Sequence, residues 1–195
     1  MSESFKYGFA GVVLNPTDND GATCRRGQVI WMTGLSGAGK TTLAGMLGAT
    51  LDARAIPCAV LDGDRLRAGL NRDLGFDDAD RAENVRRVAE VAKLMADAGL
   101  VVIVALISPF ERERTMARGI IGAARFTEVY LSTPIAVCEQ RDVKGLYHKA
   151  RSGLLDNFTG ISSPYEIPVA PDIIVDSQSD ETAAGVVEIL ARCLP

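Results

Sequence analysis

Gly34-Leu35-Ser36-Gly37-Ala38-Gly39-Lys40-Thr41 is the stretch that decides how this chain folds. It meets the G-x-x-x-x-G-K-[ST] phosphate-binding spacing at every fixed position. Upstream, Gln28-Val29-Ile30-Trp31-Met32-Thr33 reads as a short buried strand; downstream, Thr42 to Leu51 carries helix formers at helical spacing. A strand running into a glycine-rich turn and then a helix is what phosphate binding requires. The glycines let successive backbone N–H groups turn toward an anion, and the helix N-terminus adds partial positive charge. In such a P-loop Lys40 reaches the β- and γ-phosphates of ATP and the Thr41 hydroxyl ligates Mg²⁺. Gly34, Leu35, Ser36, Gly37, Ala38, Gly39 and Thr42 complete the cradle.

Outward from this loop, strands alternate with helices. Cys58-Ala59-Val60-Leu61 reads as a second buried strand ending in the acidic turn Asp62-Gly63-Asp64. A helix is predicted from about Asp80 to Ala98, with Asp80 and Glu83 as a capping pair. Val101 to Ile107 is a continuous apolar run rich in β-branched residues, as in a central parallel strand covered on both faces. Glu111 to Ile121 looks helical, Phe126 to Leu131 is a strand, and Thr133-Pro134 opens a helix reaching about Arg141. Ile173-Ile174-Val175 is a fifth strand and Asp180 to Cys193 a closing helix. The pattern predicts an α/β chain: three layers of the P-loop NTPase type, with a mainly parallel five-stranded sheet flanked by helices. Residues 27–195 form one domain, and residues 1–26 an N-terminal arm, partly ordered.

Composition narrows the partners. The 195 residues are 47% hydrophobic and 24% charged with a net charge of −4, so nothing draws the chain to nucleic acid or to an anionic membrane. No apolar run is long enough to span a bilayer, and the opening residues do not form a signal peptide. The cysteines Cys24, Cys58, Cys138 and Cys193 are scattered without a C-x-x-C pair, against zinc and against a disulfide framework. Cys58 reads as a reduced, buried thiol, and a reducing cytoplasm fits.

Ligands of open parallel sheets bind beyond the carboxyl ends of the strands. The P-loop, Asp62-Gly63-Asp64 and Ser108-Pro109-Phe110 therefore meet at one edge. Arg81 and Asn84 continue the Val85/Val88 stripe of their helix toward the same edge. The strand from Val101 ends without a carboxylate, which leaves Asp62 and Asp64 for the metal and the attacking hydroxyl. One orients Mg²⁺ and the other accepts the hydroxyl's hydrogen bond, with Asp64 the first choice for the acid near the reaction; a plain turn is the competing reading. Residues 141–153 concentrate Lys and Arg, with Gly145 and Gly153 as hinges, which suits a mobile lid over about 144–157 that closes on phosphates; a solvated charged face is the alternative. His148, the only histidine, belongs to the surface of that segment. Phe76 and Phe158, in polar glycine-containing loops, either anchor the core or sandwich a planar base.

Several further blocks carry a resemblance. They are Leu61-Asp62-Gly63-Asp64, Gly69-Leu70-Asn71-Arg72-Asp73-Leu74-Gly75-Phe76, Asp80-Arg81-Ala82-Glu83-Asn84-Val85-Arg86-Arg87-Val88, Ile107-Ser108-Pro109, Cys138-Glu139-Gln140-Arg141-Asp142, Lys144-Gly145-Leu146-Tyr147 and Phe158-Thr159-Gly160-Ile161. With the P-loop they resemble the adenylylsulfate kinase (APS kinase) family from about Arg26 to Val175. The resemblance implies transfer of the ATP γ-phosphoryl group to the ribose 3′-hydroxyl of adenosine 5′-phosphosulfate (APS), in sulfate activation. It also implies that Asp62, Arg67, Arg81, Asn84 and the Ile107 backbone hold the acceptor, with Phe76 and Phe158 on its adenine. Lys144 would stabilise the transferring charge and Arg141 would lie near the ATP base. Family members are described with a phosphoserine at the position of Ser108. Direct in-line attack needs only positioning and charge stabilisation, so Ser108 is read here as positioning substrate. A homodimer and association with ATP sulfurylase are further implications.

The chain departs from the family at Ala68, where histidine is common, at Phe110, where tyrosine is frequent, and at Asp156, where a basic residue is usual. Two other readings stand beside this one: a P-loop kinase for another small nucleotide or sugar, and a nucleotide-binding regulatory domain without turnover.

Overall fold

The computed structural model of the chain describes residues 27–176 and 181–193; the expected arm over residues 1–26 lies outside them. Five strands, β1 (Val29–Thr33), β2 (Cys58–Asp62), β3 (Val101–Ala105), β4 (Phe126–Leu131) and β5 (Ile173–Val175), form one parallel sheet in the order β2-β3-β1-β4-β5. Seven helices accompany them among the described residues: α1 (Lys40–Ala53), α2 (Gly63–Ala68), α3 (Asp78–Asp97), α4 (Glu111–Ile121), α5 (Ile135–Arg141), α6 (Leu146–Arg151) and α7 (Glu181–Cys193).

The period of two along β1 divides the core. Ile30 and Met32 face a cluster with Leu43, Leu47 and Leu51 of α1 and Ile189 and Leu190 of α7. Val29 and Trp31 face Val85, Val88 and Ala92 of α3 and Ala117 and Ile121 of α4. A strand buried on both faces needs apolar residues at every position, which is why β1 and β3 read as unbroken runs. The result is three layers with the sheet in the middle. Trp31 is fully buried, stacks on Phe126 with centroids 5.7 Å apart, and contributes about 2–3 kcal/mol by burial.

Local details differ from the sequence reading in five places. Asp62-Gly63-Asp64 is not a free turn: Asp62 Oδ1 accepts from the amides of Asp64 and Arg65 and caps the short helix α2. Asp77, not the Asp80/Glu83 pair, caps α3, because Asp80 instead accepts from the Gly75 amide at 2.6 Å and Glu83 pairs with Arg86 and Arg87. β3 stops at Ala105, two residues short of Ile107. The 144–157 segment contains helix α6, whose Tyr147 and Ala150 are buried. Cys58 is half-buried, and both it and Cys138 are free thiols.

A candidate active site at the carboxyl edge of the sheet

The P-loop leaves β1 through Gly34, where a side chain would meet the Leu131 carbonyl at 2.9 Å, and enters α1 through Gly39 at φ +99°. Only glycine tolerates both the close approach and the left-handed backbone. Lys40 is buried, and its ammonium donates to the carbonyls of Gly34 and Leu35, at 2.7 Å each. Burial, opposed by Cys138, Asp64 and Asp62, pulls the ammonium down to about 8. Thr133 Oγ1 donates to the Ala38 carbonyl at 3.0 Å and Arg141 Nη1 to the Gly37 carbonyl at 3.2 Å, so β4 and α5 brace the loop from the far side.

Beside the loop, the Thr41 hydroxyl donates to Asp62 Oδ2 at 2.8 Å. A hydroxyl that ligates a cation must turn its proton away, and Asp62 takes it, leaving the Thr41 lone pairs free. Among the described residues no group of three or more His, Cys, Asp or Glu could hold a metal alone. Thr41 with Asp64 therefore suits an oxygen-seeking ion that keeps waters and phosphate oxygens as its remaining ligands, as Mg²⁺ does. Asp64 is exposed and ion-paired with Lys144. Lys40, Thr41, Asp62, Asp64 and Lys144 thus converge at one point.

Lys144 precedes α6, which Asp142 caps through the amides of Tyr147 and His148, at 3.0 Å each. The Tyr147 hydroxyl donates to the Ser36 carbonyl at 2.8 Å, so this helix hangs from the P-loop. His148 is exposed, as expected for a surface residue.

Arg81 is the hub of a second cluster. Its Nε donates to the Phe76 carbonyl at 2.8 Å, Nη1 to Thr159 Oγ1 at 2.7 Å, and Nη2 to the Asn157 carbonyl. One guanidinium therefore joins the loop before α3 to the turn carrying Phe158. Phe76 is largely exposed beneath the Arg67 guanidinium, 4.3 Å from its ring centre, while Phe158 is buried edge-on to Tyr147. Arg67 also holds the Leu74 and Gly75 carbonyls, and Asn84 Oδ1 accepts from Asn71 Nδ2 at 3.0 Å.

Ser108 is buried at φ +37°, an uncommon conformation for a non-glycine residue. Trp31 Nε1 donates to its hydroxyl at 3.1 Å, and Arg114 Nη1 to its carbonyl at 2.8 Å. The neighbouring Ile107 carbonyl accepts from Thr33 Oγ1 at 2.7 Å. Arg114 is fully buried, 2.9 Å from Glu128 in an ion pair without a linear hydrogen bond, and also reaches the Glu166 carbonyl at 2.9 Å. Between Leu35, Tyr130, Gly160, Ile161, Tyr165 and Ile167 lies a cavity of about 510 Å³.

Sequence reading did not find Arg114, Tyr147 or Thr159. The first sits in the charged run Glu111-Arg112-Glu113-Arg114, which looks solvated; the last two lie inside blocks already noted, and only their long-range partners give them meaning.

The sequence profile described as adenylylsulphate kinase matches residues 26–176. An adenylyl-sulfate kinase of Yersinia pestis is 56% identical over 169 residues, 87% of this chain and 78% of that protein. The solved APS kinase of Mycobacterium tuberculosis in complex with AMPPNP and APS superposes with a TM-score of 0.82 at 48% identity, covering 85% of this chain and 98% of that one. A hexameric APS kinase from Thiobacillus denitrificans aligns at 30% identity with a TM-score of 0.63, over 86% of this chain and 29% of that one.

Proposed function

Because this chain belongs to the adenylylsulphate kinase family, we infer that its P-loop holds the triphosphate of ATP while Arg67, Phe76, Arg81, Asn84 and Phe158 hold APS across from it. The chain is an ATP-dependent kinase that phosphorylates the ribose 3′-hydroxyl of APS, giving 3′-phosphoadenosine 5′-phosphosulfate and ADP. The observation that carries the assignment of roles is the convergence of Lys40, the Thr41–Asp62 bond and the Asp64–Lys144 ion pair at one edge.

Phosphoryl transfer asks the protein for alignment and for charge facing the moving group. Lys40 exchanges its two loop carbonyls for β- and γ-phosphate oxygens. Thr41 and Asp64 would hold Mg²⁺, which neutralises charge shared by the β- and γ-phosphates. Asp64 accepts the hydrogen bond of the 3′-hydroxyl and aims its oxygen at phosphorus. Lys144, released from Asp64 as substrates arrive, follows the charge on the transferring group, and the 144–157 segment acts as the lid that excludes water. Ser108, its hydroxyl already bound to the Trp31 indole, serves as a fixed wall with Ile107. Arg141 borders the ATP base.

No helix among the described residues is long and apolar enough to cross a membrane. The same family reading makes residues 27–195 a single kinase domain preceded by an arm, acting in the cytoplasm as a homodimer, with ATP sulfurylase as a candidate partner.

ADP release measured with ATP, Mg²⁺ and a panel of APS, AMP, adenosine and gluconate tests the reading. Turnover with APS far above the rest is expected. Release that depends on gluconate but not on APS would overturn it.

A further inference from the structure

Glu113 stands out among the buried charges because no hydrogen bond reaches its carboxyl among the described residues. It lies on α4, which packs against α3; it is 1% exposed, and neither of its carboxyl oxygens has a hydrogen-bond partner. A polar group left bare in a core is costly, so its surroundings deserve a physical account. The charged groups facing it are Arg81 and Asp78 from α3 and Arg112 from its own helix. The Phe110 amide faces it as well, without reaching hydrogen-bond geometry. Asp78 and Arg112 are exposed and approach each other at 4.0 Å on the rim. Arg81 is buried like Glu113, and each of the two favours the charged form of the other. The hydrogen bonds of Arg81 to Phe76, Thr159 and Asn157 all end on neutral oxygens. Glu113 and Arg81 are thus both buried on the two helices α4 and α3 that pack together, near enough for each to favour the charge of the other.

We propose that Glu113 is a positioning residue for acceptor binding: from its buried place at the α3–α4 contact, its carboxyl sets how much positive charge Arg81 presents to the anionic acceptor. This rests on Arg81 being an acceptor ligand. With the carboxyl neutral, Arg81 presents its full charge to the phosphosulfate. With the carboxyl ionised, part of that charge is answered from behind and the acceptor is held less strongly. Burial pushes the Glu113 carboxyl up to about 7, against the pull of Arg112 and Arg81, so both forms exist under ordinary assay conditions. The acceptor therefore binds more weakly as pH rises through that value.

The test is kcat and KM for APS and for ATP between pH 6 and pH 8.5, in the full chain. The wild-type KM for APS should rise about fivefold across this range, as expected for one charge acting through a partly shielded medium, whereas any slope in the KM for ATP, where Lys40 titrates nearer 8, should be the same in wild type and Glu113→Gln. Glu113→Gln, which keeps the shape and cannot ionise, should hold the low-pH KM for APS throughout. A wild-type KM without slope, or a Glu113→Gln enzyme that keeps the slope, overturns the proposal. Should Glu113→Gln not fold, Glu113→Asp retains an ionisable group and must keep a slope with a displaced midpoint; a flat profile there overturns it equally. Arg81→Lys separates the two readings. If it leaves the KM for APS unchanged, Arg81 is not an acceptor ligand; if it raises that KM while Glu113→Gln keeps the slope, only the role of Glu113 falls.

Discussion

The two sides proposed to hold donor and acceptor are built on opposite plans. The P-loop is eight consecutive residues, its shape imposed by glycines at left-handed or crowded positions and its contacts made largely by backbone. The proposed acceptor side is made of side chains from segments far apart in the chain, Arg67 and Phe76 before α3, Arg81 and Asn84 on it, and Phe158 and Thr159 beyond α6, its two loops joined by the single guanidinium of Arg81. A cradle of backbone amides binds any polyphosphate, because every nucleotide offers the same oxygens. A clamp of side chains chooses among acceptors, because each contact answers a feature of one ligand. Catalytic power should therefore concentrate in the first region and selectivity in the second.

The sharpest way to break this contrast is Lys40→Ala. It removes the cation facing the transferring phosphoryl group, and kcat should fall roughly a thousandfold while the far-UV spectrum is preserved. Turnover near wild type would take Lys40 out of the chemistry. Phe158→Ala is the matched test on the other side. Losing the ring should raise the KM for APS about tenfold with a small change in the KM for ATP, the loss expected of one stacking contact. A variant in which only ATP binding suffers would place the ring with the donor and dissolve the division. The smallest effect is expected at the seam between the regions. Asp142→Ala removes the two bonds that cap α6, costing about 1 kcal/mol. Thermal unfolding should show a Tm lower by about 2–4 °C in a chain of this size.

The same contrast explains what could be read from the residues alone. The P-loop, the strands from Phe126 and Ile173 and the helix over Glu111–Ile121 follow from local spacing, and each is found where the spacing puts it. Helices α2 and α6 were not legible, since six residues are too few to show a period of 3.6. The start of α3 offers Asp77, Asp78 and Asp80 as caps. The choice falls to Asp77 because Gly75 claims Asp80, a contact set by the loop's fold. Glu113 and Arg114 were hidden more deeply. A run of alternating charges on a short helix looks like a surface, and only the arrival of Glu128 and Glu166 from later segments, with the Ser108 carbonyl just ahead of the helix, turns that face inward. Likewise the indole of Trp31 reads as core, yet its N–H ends on a serine 77 residues away.

The bond from the Tyr147 hydroxyl to the Ser36 carbonyl has a consequence for the order of events. If the 144–157 segment is the lid proposed above, a cover suspended from the turn that would hold the first nucleotide moves with that turn: when the turn tightens the cover is drawn with it, and when the turn relaxes after the diphosphate leaves the cover slackens. On that reading, departure of one product and reopening for the next round would be two descriptions of the same movement.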